Sequence, residues 1–165
     1  MIFLKILICY HSETGNTKVV AESMAEGLES EEVTLLPASD VDPASLASYD
    51  AVFLGTGIYA GAIGKSVKEL MKKVTGLPPK VAVFCTHNNP DPSSVEKALK
   101  GIVKQITECG CENCVNFDCI GENRNEKVIE ILMKMPGMAE ALENSKGHPD
   151  AQDLENAKEF ARSVL

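Results

Sequence analysis

Hydrophobic positions along this chain fall into two alternating patterns. Short unbroken apolar runs stand at Ile2 to Cys9, Val33 to Leu36, Ala51 to Leu54 and Val81 to Cys85, with a weaker one from Val115 to Ile120. Runs without polar alternation suit strands covered on both faces, as in a parallel sheet. Between them the spacing becomes helical. Val67, Leu70, Met71 and Val74 fall at i, i+3, i+4 and i+7, and Val95, Leu99, Ile102, Val103 and Ile106 repeat the stripe. Val20, Met24 and Leu28 form a sparser stripe, and Leu154, Ala157, Phe160, Ala161 and Val164 close the chain. Ser66 with Glu69 and Ser93 with Glu96 have capping-box spacing, and Pro149-Asp150 offers a cap for the last helix.

The order is therefore strand, helix, strand, short connection, strand, helix, strand, helix, strand, insert, helix. It predicts an α/β fold, a doubly wound three-layer sandwich on a parallel sheet with right-handed crossovers. At 165 residues the whole chain, 1–165, reads as one domain, with an insert at about 121–149 before the last helix. In such a sheet ligands bind outside the carboxyl ends of the strands, where the strand order reverses. The loops to read are those.

Composition narrows the function classes. With 44% hydrophobic residues and only 12 Gly and 8 Pro, disorder and collagen-like repeats are excluded. Acids outnumber bases 24 to 16, for a formal net charge of −8, and no basic run exists, which argues against nucleic acid and favours partners with basic docking surfaces. The apolar opening from Met1 to Tyr10 is too short to span a bilayer and lacks a small-residue cleavage pattern, so no membrane association is expected. A cytoplasmic setting with reduced thiols follows as the expectation.

The loop after the first strand, Tyr10-His11-Ser12-Glu13-Thr14-Gly15-Asn16-Thr17, runs straight into a helix. Hydroxyls at 12, 14 and 17 around Gly15, with N–H groups converging at a helix N-terminus, make a cradle for a phosphate. It holds no lysine or arginine and Glu13 adds negative charge, so binding would rest on neutral donors and the helix dipole. The alternative is a Ser/Thr-capped turn, which needs only one such residue.

Ser12-Glu-Thr-Gly-Asn-Thr17 resembles the [Ser/Thr]-x-Thr-Gly-x-Thr loop of the flavodoxin family. The likeness covers nearly the whole chain, taking in Gly55-Thr-Gly-Ile-Tyr-Ala-Gly61 after the third strand, Thr86-His-Asn-Asn89 after the fourth, and Gly147-His-Pro-Asp150 before the closing helix. It implies a five-stranded sheet in the order 2-1-3-4-5 and FMN as cofactor. Ser12, Glu13, Thr14, Gly15, Asn16 and Thr17 would wrap the phosphate, while Thr56, Gly57, Ile58, Tyr59, Ala60 and Gly61, with Thr86, His87, Asn88 and Asn89, would hold the isoalloxazine ring. Tyr59 then stacks on one ring face; its plainer reading is a loop aromatic covering the core. The resemblance also implies that the peptide at Gly57 turns its carbonyl toward the flavin N5 once that nitrogen is protonated. Flavodoxins usually sandwich the ring between two aromatics, whereas the loop at 86–89 offers only His87. Either His87 stacks and Asn88 or Asn89 bonds the pyrimidine edge, or these are turn residues ahead of Pro90-Asp91-Pro92.

None of the three loops shows a nucleophile backed by a base, which points to a carrier whose chemistry is its cofactor's. The family then implies electron transfer between redox protein partners, at low potential, since net negative charge disfavours an anionic reduced flavin. The alternatives are an NAD(P)H-dependent flavin or quinone reductase, a protoporphyrinogen-oxidase-type flavoenzyme on the same fold, and a binding module that has lost the cofactor. A receiver domain, a Cys-x5-Arg phosphatase, a dinucleotide fingerprint and a P-loop each fail at named positions, as at Gly15 counted from Cys9.

Cys109, Cys111, Cys114 and Cys119 have the density of a metal or cluster site. Strand geometry separates the first three from Cys119 by the length of the fifth strand, which favours structural thiols or a regulatory Cys111/Cys114 pair. Within the insert Val128, Ile129, Ile131 and Leu132 suggest a short helix ended by Met135-Pro136-Gly137. Its methionines are expected to fill core gaps, with a partner surface or a flap beside the flavin as the sharper possibility. Oligomeric state is left open.

Overall fold

Every apolar run becomes a strand, because the sheet is covered on both faces. The computed structural model describes residues 2–165. In chain order its elements are β1 (Lys5–His11), α1 (Asn16–Gly27), β2 (Glu32–Pro37), β3 (Ala51–Tyr59), β4 (Ala62–Ile63), α2 (Lys65–Lys73), β5 (Lys80–His87), α3 (Ser93–Glu108), β6 (Val115–Ile120), α4 (Glu126–Leu132), α5 (Met138–Ser145) and α6 (Ala151–Val164). Two 3-10 turns link β2 to β3. The parallel strands lie in the order β2-β1-β3-β5-β6, which is the expected 2-1-3-4-5, and the two-residue β4 folds back on β3.

Alternate residues of each strand serve opposite layers. Ile6, Ile8, Phe53 and Phe84 pack with Val20 and Met24 of α1 and Ala157 and Ala161 of α6. Leu7, Cys9, Leu54, Val83 and Cys85 pack with Val67 and Leu70 of α2 and Leu99 and Ile106 of α3. The edge strands β2 and β6 are only partly covered, and Val115 and Ile120 are exposed, which is why the fifth run is weak in the sequence. Among the described residues no helix is long and apolar enough to cross a membrane.

Three local expectations need correction. β1 begins at Lys5, not Ile2, and Ile2 and Phe3 lie exposed before it. The stretch at 56–61 is not an open loop: residues 56–59 extend β3, and Ala60 and Gly61, with φ of 50° and 79°, make a tight turn in which Tyr59 pairs with Ala62. Positive φ at both turn residues matches the twist of a two-residue hairpin. The capping boxes at Ser66 and Ser93 do not form. Asp91 starts α3 instead, accepting from both the N–H (2.9 Å) and the hydroxyl (2.8 Å) of Ser93, with Pro92 preset for the first turn. Asp150 does cap α6 as expected, and Asp153 makes the cap reciprocal by accepting from the Asp150 N–H.

The insert holds the short helix expected at 128–132 and a second one, α5. No residue of α4 is buried. Met133 and Met135 are more than half exposed and only Met138 is buried, so two of the three methionines fill no core gap. The main neighbour of α4 is the short helix α5, not the sheet, and its Val128 and Ile131 are left exposed.

Gly55 shows how closely the sheet is packed. A Cβ there would stand 2.2 Å from the ring of Phe84, which is fully buried on the neighbouring strand. Gly55→Ala is expected to destabilise the fold by about 1–3 kcal/mol through overpacking, read as a fall in the urea midpoint at unchanged slope.

Candidate functional site

The loop before α1 spends its hydroxyls in three different ways. Ser12 Oγ accepts from the N–H groups of Gly15 (3.1 Å) and Lys18 (3.3 Å). Gly15, with φ of 91°, supplies the left-handed bend that turns the chain into the helix. Thr17 is buried, and its hydroxyl meets that of Thr86 at 2.9 Å, tying α1 to β5. Thr14 alone keeps a hydroxyl with no partner among the described residues. The first-turn N–H groups of Asn16 and Thr17 have no carbonyl to reach within the helix, so they stand as donors at its positive end.

Beside this loop, Thr56 is consumed internally. Its buried hydroxyl donates to Gly57 O and accepts from Gly64 N–H, both at 2.7 Å, joining β3 to the start of α2. Tyr59 reaches back over Gly57, where a Cβ would come within 2.4 Å of its hydroxyl, and its oxygen accepts the N–H of Glu13 at 3.0 Å. Partial burial raises the Tyr59 pKa, the Glu13 N–H lowers it, and the Glu13 carboxylate raises it again. His11, which the sequence reading passed over, lies edge-on to Tyr59 at 5.7 Å between centroids, and its Nδ1 is 2.6 Å from Ser66 Oγ. Only glycine fits at 64, since a Cβ there would press on the His11 ring at 2.2 Å. Ile58 packs on the α2 side of the core.

The third loop starts later than its motif, because Thr86 and His87 belong to β5. Asn89 Oδ1 accepts from Asp91 N–H at 2.9 Å, a turn role. His87 Nε2 is 2.8 Å from Asp118 Oδ2 on β6, while its Nδ1 is buried without a hydrogen-bond partner among the described residues. The bond from His87 holds the Asp118 carboxyl below the usual carboxylate range, against a smaller opposing effect of burial.

The insert also reaches this site. Asn16 Nδ2 donates to Glu122 O at 2.8 Å, and Arg124 Nη1 donates to Asn16 Oδ1 at 3.4 Å. No local signal marked Glu122 or Arg124, for they lie more than a hundred residues from the loop they touch. Two surface clefts lie away from it, one near Leu4, Tyr49 and Leu165 and a groove of about 640 Å³ between α3 and Cys114–Asn116.

A model of the flavodoxin domain matches residues 7–162. The chain belongs to the flavodoxin family. An uncharacterized protein of Methanocaldococcus jannaschii is 29% identical over 164 residues, covering 98% of this chain and 99% of its own. The structure of oxidised flavodoxin 2 from Bacillus cereus superposes with a TM-score of 0.68 at 20% identity, covering 97% of each chain. The azoreductase AzrA superposes at 0.65 with 12% identity, over 95% of this chain and 98% of that one. At such identities the two structures speak for the fold alone.

Members of the flavodoxin family bind flavin, typically FMN, and the residues here fit that group. The first turn of α1 leaves backbone donors open to an anion, Tyr59 offers an aromatic face, and His87 Nδ1 is a buried polar atom that lacks a partner among the described residues. The residues expected to hold the cofactor thus divide. Ser12 to Thr17, Gly57, Tyr59 and His87 to Asn89 line the carboxyl ends of the strands, whereas the side chains of Thr17, Thr56 and Thr86 brace the scaffold beneath.

The clustered cysteines do not share one site: Cys111 and Cys114 are neighbours on the α3 face, whereas Cys119 lies on the other face of the sheet. Cys111 is buried on the α3 face, with Sγ 3.3 Å from Pro79 O, and Cys119 is buried on the α1 and α6 face. Burial pushes the thiols of Cys9 and Cys119 up to about 12 and that of Cys114 to about 11. Cys109 is the exposed one. Iodoacetamide at about pH 8 should therefore label native protein at Cys109, found by peptide mass mapping, and Cys109→Ser should leave it nearly unlabelled.

Asp118 gives a pH test. Because its folded pKa is depressed, its contribution to stability is present above the ordinary carboxylate range and is lost as pH falls through the folded value. The side chain is 49% exposed, so the effect is screened to less than about 1 kcal/mol. Wild type should exceed Asp118→Asn in melting temperature by a constant margin above about pH 5, and the margin should close below about pH 3.

Proposed function

We propose that this chain binds FMN noncovalently and carries electrons between protein partners. The observation that carries the reading is the α1 entrance, a family-matched loop whose helix donors are open while no side chain around it is set up for acid, base or nucleophilic chemistry. The nearest approach to a nucleophile is Ser66 on His11, and it does not form a triad. Nδ1 of His11 is shared between the hydroxyl and, at 3.4 Å, the N–H of Ser66, and the only carboxylate near Nε2 is Glu13, exposed and 3.5 Å away. A carboxylate so loosely held does not orient an imidazole. The pair instead ties β1 to α2.

Bound there, FMN supplies reversible redox chemistry, and the protein's part is to hold it and tune it. The Thr14 hydroxyl and the backbone N–H groups of Asn16 and Thr17 would hold the phosphate through neutral groups, with Tyr59 on one face of the ring. The net charge of −8 works against charge build-up on a reduced flavin and suits partners with basic docking surfaces. A cytoplasmic location, where the thiols stay reduced, agrees with the free cysteines.

A second reading, a flavin-dependent reductase, draws support from one feature. The loop at 88–91 sets no aromatic over the ring, and a second substrate needs such an open face. Bleaching of the bound flavin by NADPH alone would select the reductase; bleaching only through an added electron-transfer protein selects the carrier.

The direct test is addition of FMN to flavin-free protein, followed by quenching of its fluorescence. Wild type should bind with one site. Thr14→Val, which removes the free hydroxyl, should weaken binding by about tenfold. Thr17→Val should act mainly on the melting temperature, because it strands the buried Thr86 hydroxyl. Protein that takes up no FMN would dispose of the reading.

A further inference from the structure

The phosphate loop contains no cation of its own, yet the fold brings one to it. Arg124 is one of only two arginines in the chain, and the other, Arg162, donates to Gly27 O at the far end of α1. The segment bearing Arg124 is fixed from several sides by backbone bonds. Gly121 N–H donates to His87 O at 2.9 Å and Glu122 N–H to His148 O at 2.8 Å, while Glu122 O accepts from Asn16 Nδ2 at 2.8 Å. Gly121 lies so close to Asn16 that a Cβ there would stand 2.7 Å from Nδ2. The guanidinium is thereby held next to the first residue of α1.

Two positive features are now neighbours, a guanidinium and a helix N-terminus. A cation at that end opposes the helix dipole and needs a counter-ion. The present one is Glu122, whose Oε2 is 3.6 Å from Arg124 Nη2. Both contacts of the guanidinium, 3.6 Å to Glu122 and 3.4 Å to Asn16, are long for charge-assisted bonds, and its side chain is 58% exposed. Most of its five donors are therefore free to turn toward a better acceptor.

We infer that Arg124 is a phosphate-recognition residue: on binding it exchanges Glu122 for the terminal phosphate of the flavin nucleotide and makes the site select FMN over riboflavin. The inference rests on the reading that FMN binds at the α1 entrance. It differs from a site of neutral dipoles in one respect, since a phosphate dianion then meets a full positive charge supplied by the insert. Arg124 adds planar, two-pronged donation that the loop's own hydroxyls cannot give.

The test is a fluorescence titration of the flavin-free full chain with FMN and, separately, with riboflavin, at low salt and at about 0.3 M salt. Arg124→Gln should weaken FMN by about tenfold, leave riboflavin unchanged, and lose most of this difference at the higher salt. Glu122→Gln keeps an oxygen for the Gly147 N–H that Oε2 accepts at 3.2 Å but removes the competing charge, so it should tighten FMN by about threefold. That opposite sign keeps the test decisive even if Arg124→Gln folds poorly. Wild-type affinity for FMN in Arg124→Gln, or equal losses for FMN and riboflavin, would overturn the role of Arg124 while leaving FMN binding in place. Wild-type protein that binds neither flavin would remove both readings together.

Discussion

Parallel pairing in register is the constraint on which everything else in this molecule depends. His11 stands beside Thr56, Gly57 beside Thr86, and His87 beside Ile120, so four strands end close together at the same edge of the sheet. The chain segments that leave them are then neighbours regardless of their distance in sequence. One buried bond, Thr17 to Thr86, converts that shared edge into a position for α1, because it fastens the first turn of the helix to a central strand. The first turn of α1, the hairpin turn at Ala60-Gly61 and the loop after His87 consequently lie together at the carboxyl end of the sheet.

How much of this could be read from the residues follows from where the physics is local. The strands β3 and β5 announced themselves because Phe53 and Phe84 are covered on one side and Leu54 and Cys85 on the other, which leaves no polar gap. Their ends did not, since Thr56, Gly57, Thr86 and His87 are polar or small yet still paired in the ladder. Helix stripes survive in the structure wherever a helix meets the sheet. The start signals were less secure because a serine hydroxyl has several possible partners: Ser66 found His11, and Ser93 was displaced by an aspartate two residues earlier with a proline behind it. The exposed methionines show the same limit, for a helix that packs mainly on another short helix buries none of its residues, and composition alone gives no sign of it.

The candidate site was legible in its motif and illegible in its division of labour. Ser12, Thr14 and Thr17 are three hydroxyls at suggestive spacing, but one satisfies the loop's own N–H groups and one holds the helix to the sheet. A motif records residues that a fold needs at one place, and bracing counts as much as binding. His87 is the converse case. Its ring nitrogen on Asp118 is a structural contact, yet the other nitrogen is left buried and unpartnered, a cost that a scaffold role alone does not repay.

The position of the insert is a consequence of topology. β6 is an edge strand, and α6 packs beside α1 on the opposite side of the sheet from α3, with Arg162 of α6 donating to Gly27 O of α1. A chain leaving β6 at its carboxyl end must therefore cross toward the α1 face before α6 can begin. Its first residues pass the entrance of α1, where Gly121 allows close approach and Asn16 holds Glu122 O. Whatever side chain follows is presented to that entrance. In a chain with 24 acids and 16 bases, an arginine there puts positive charge beside the positive end of the α1 dipole.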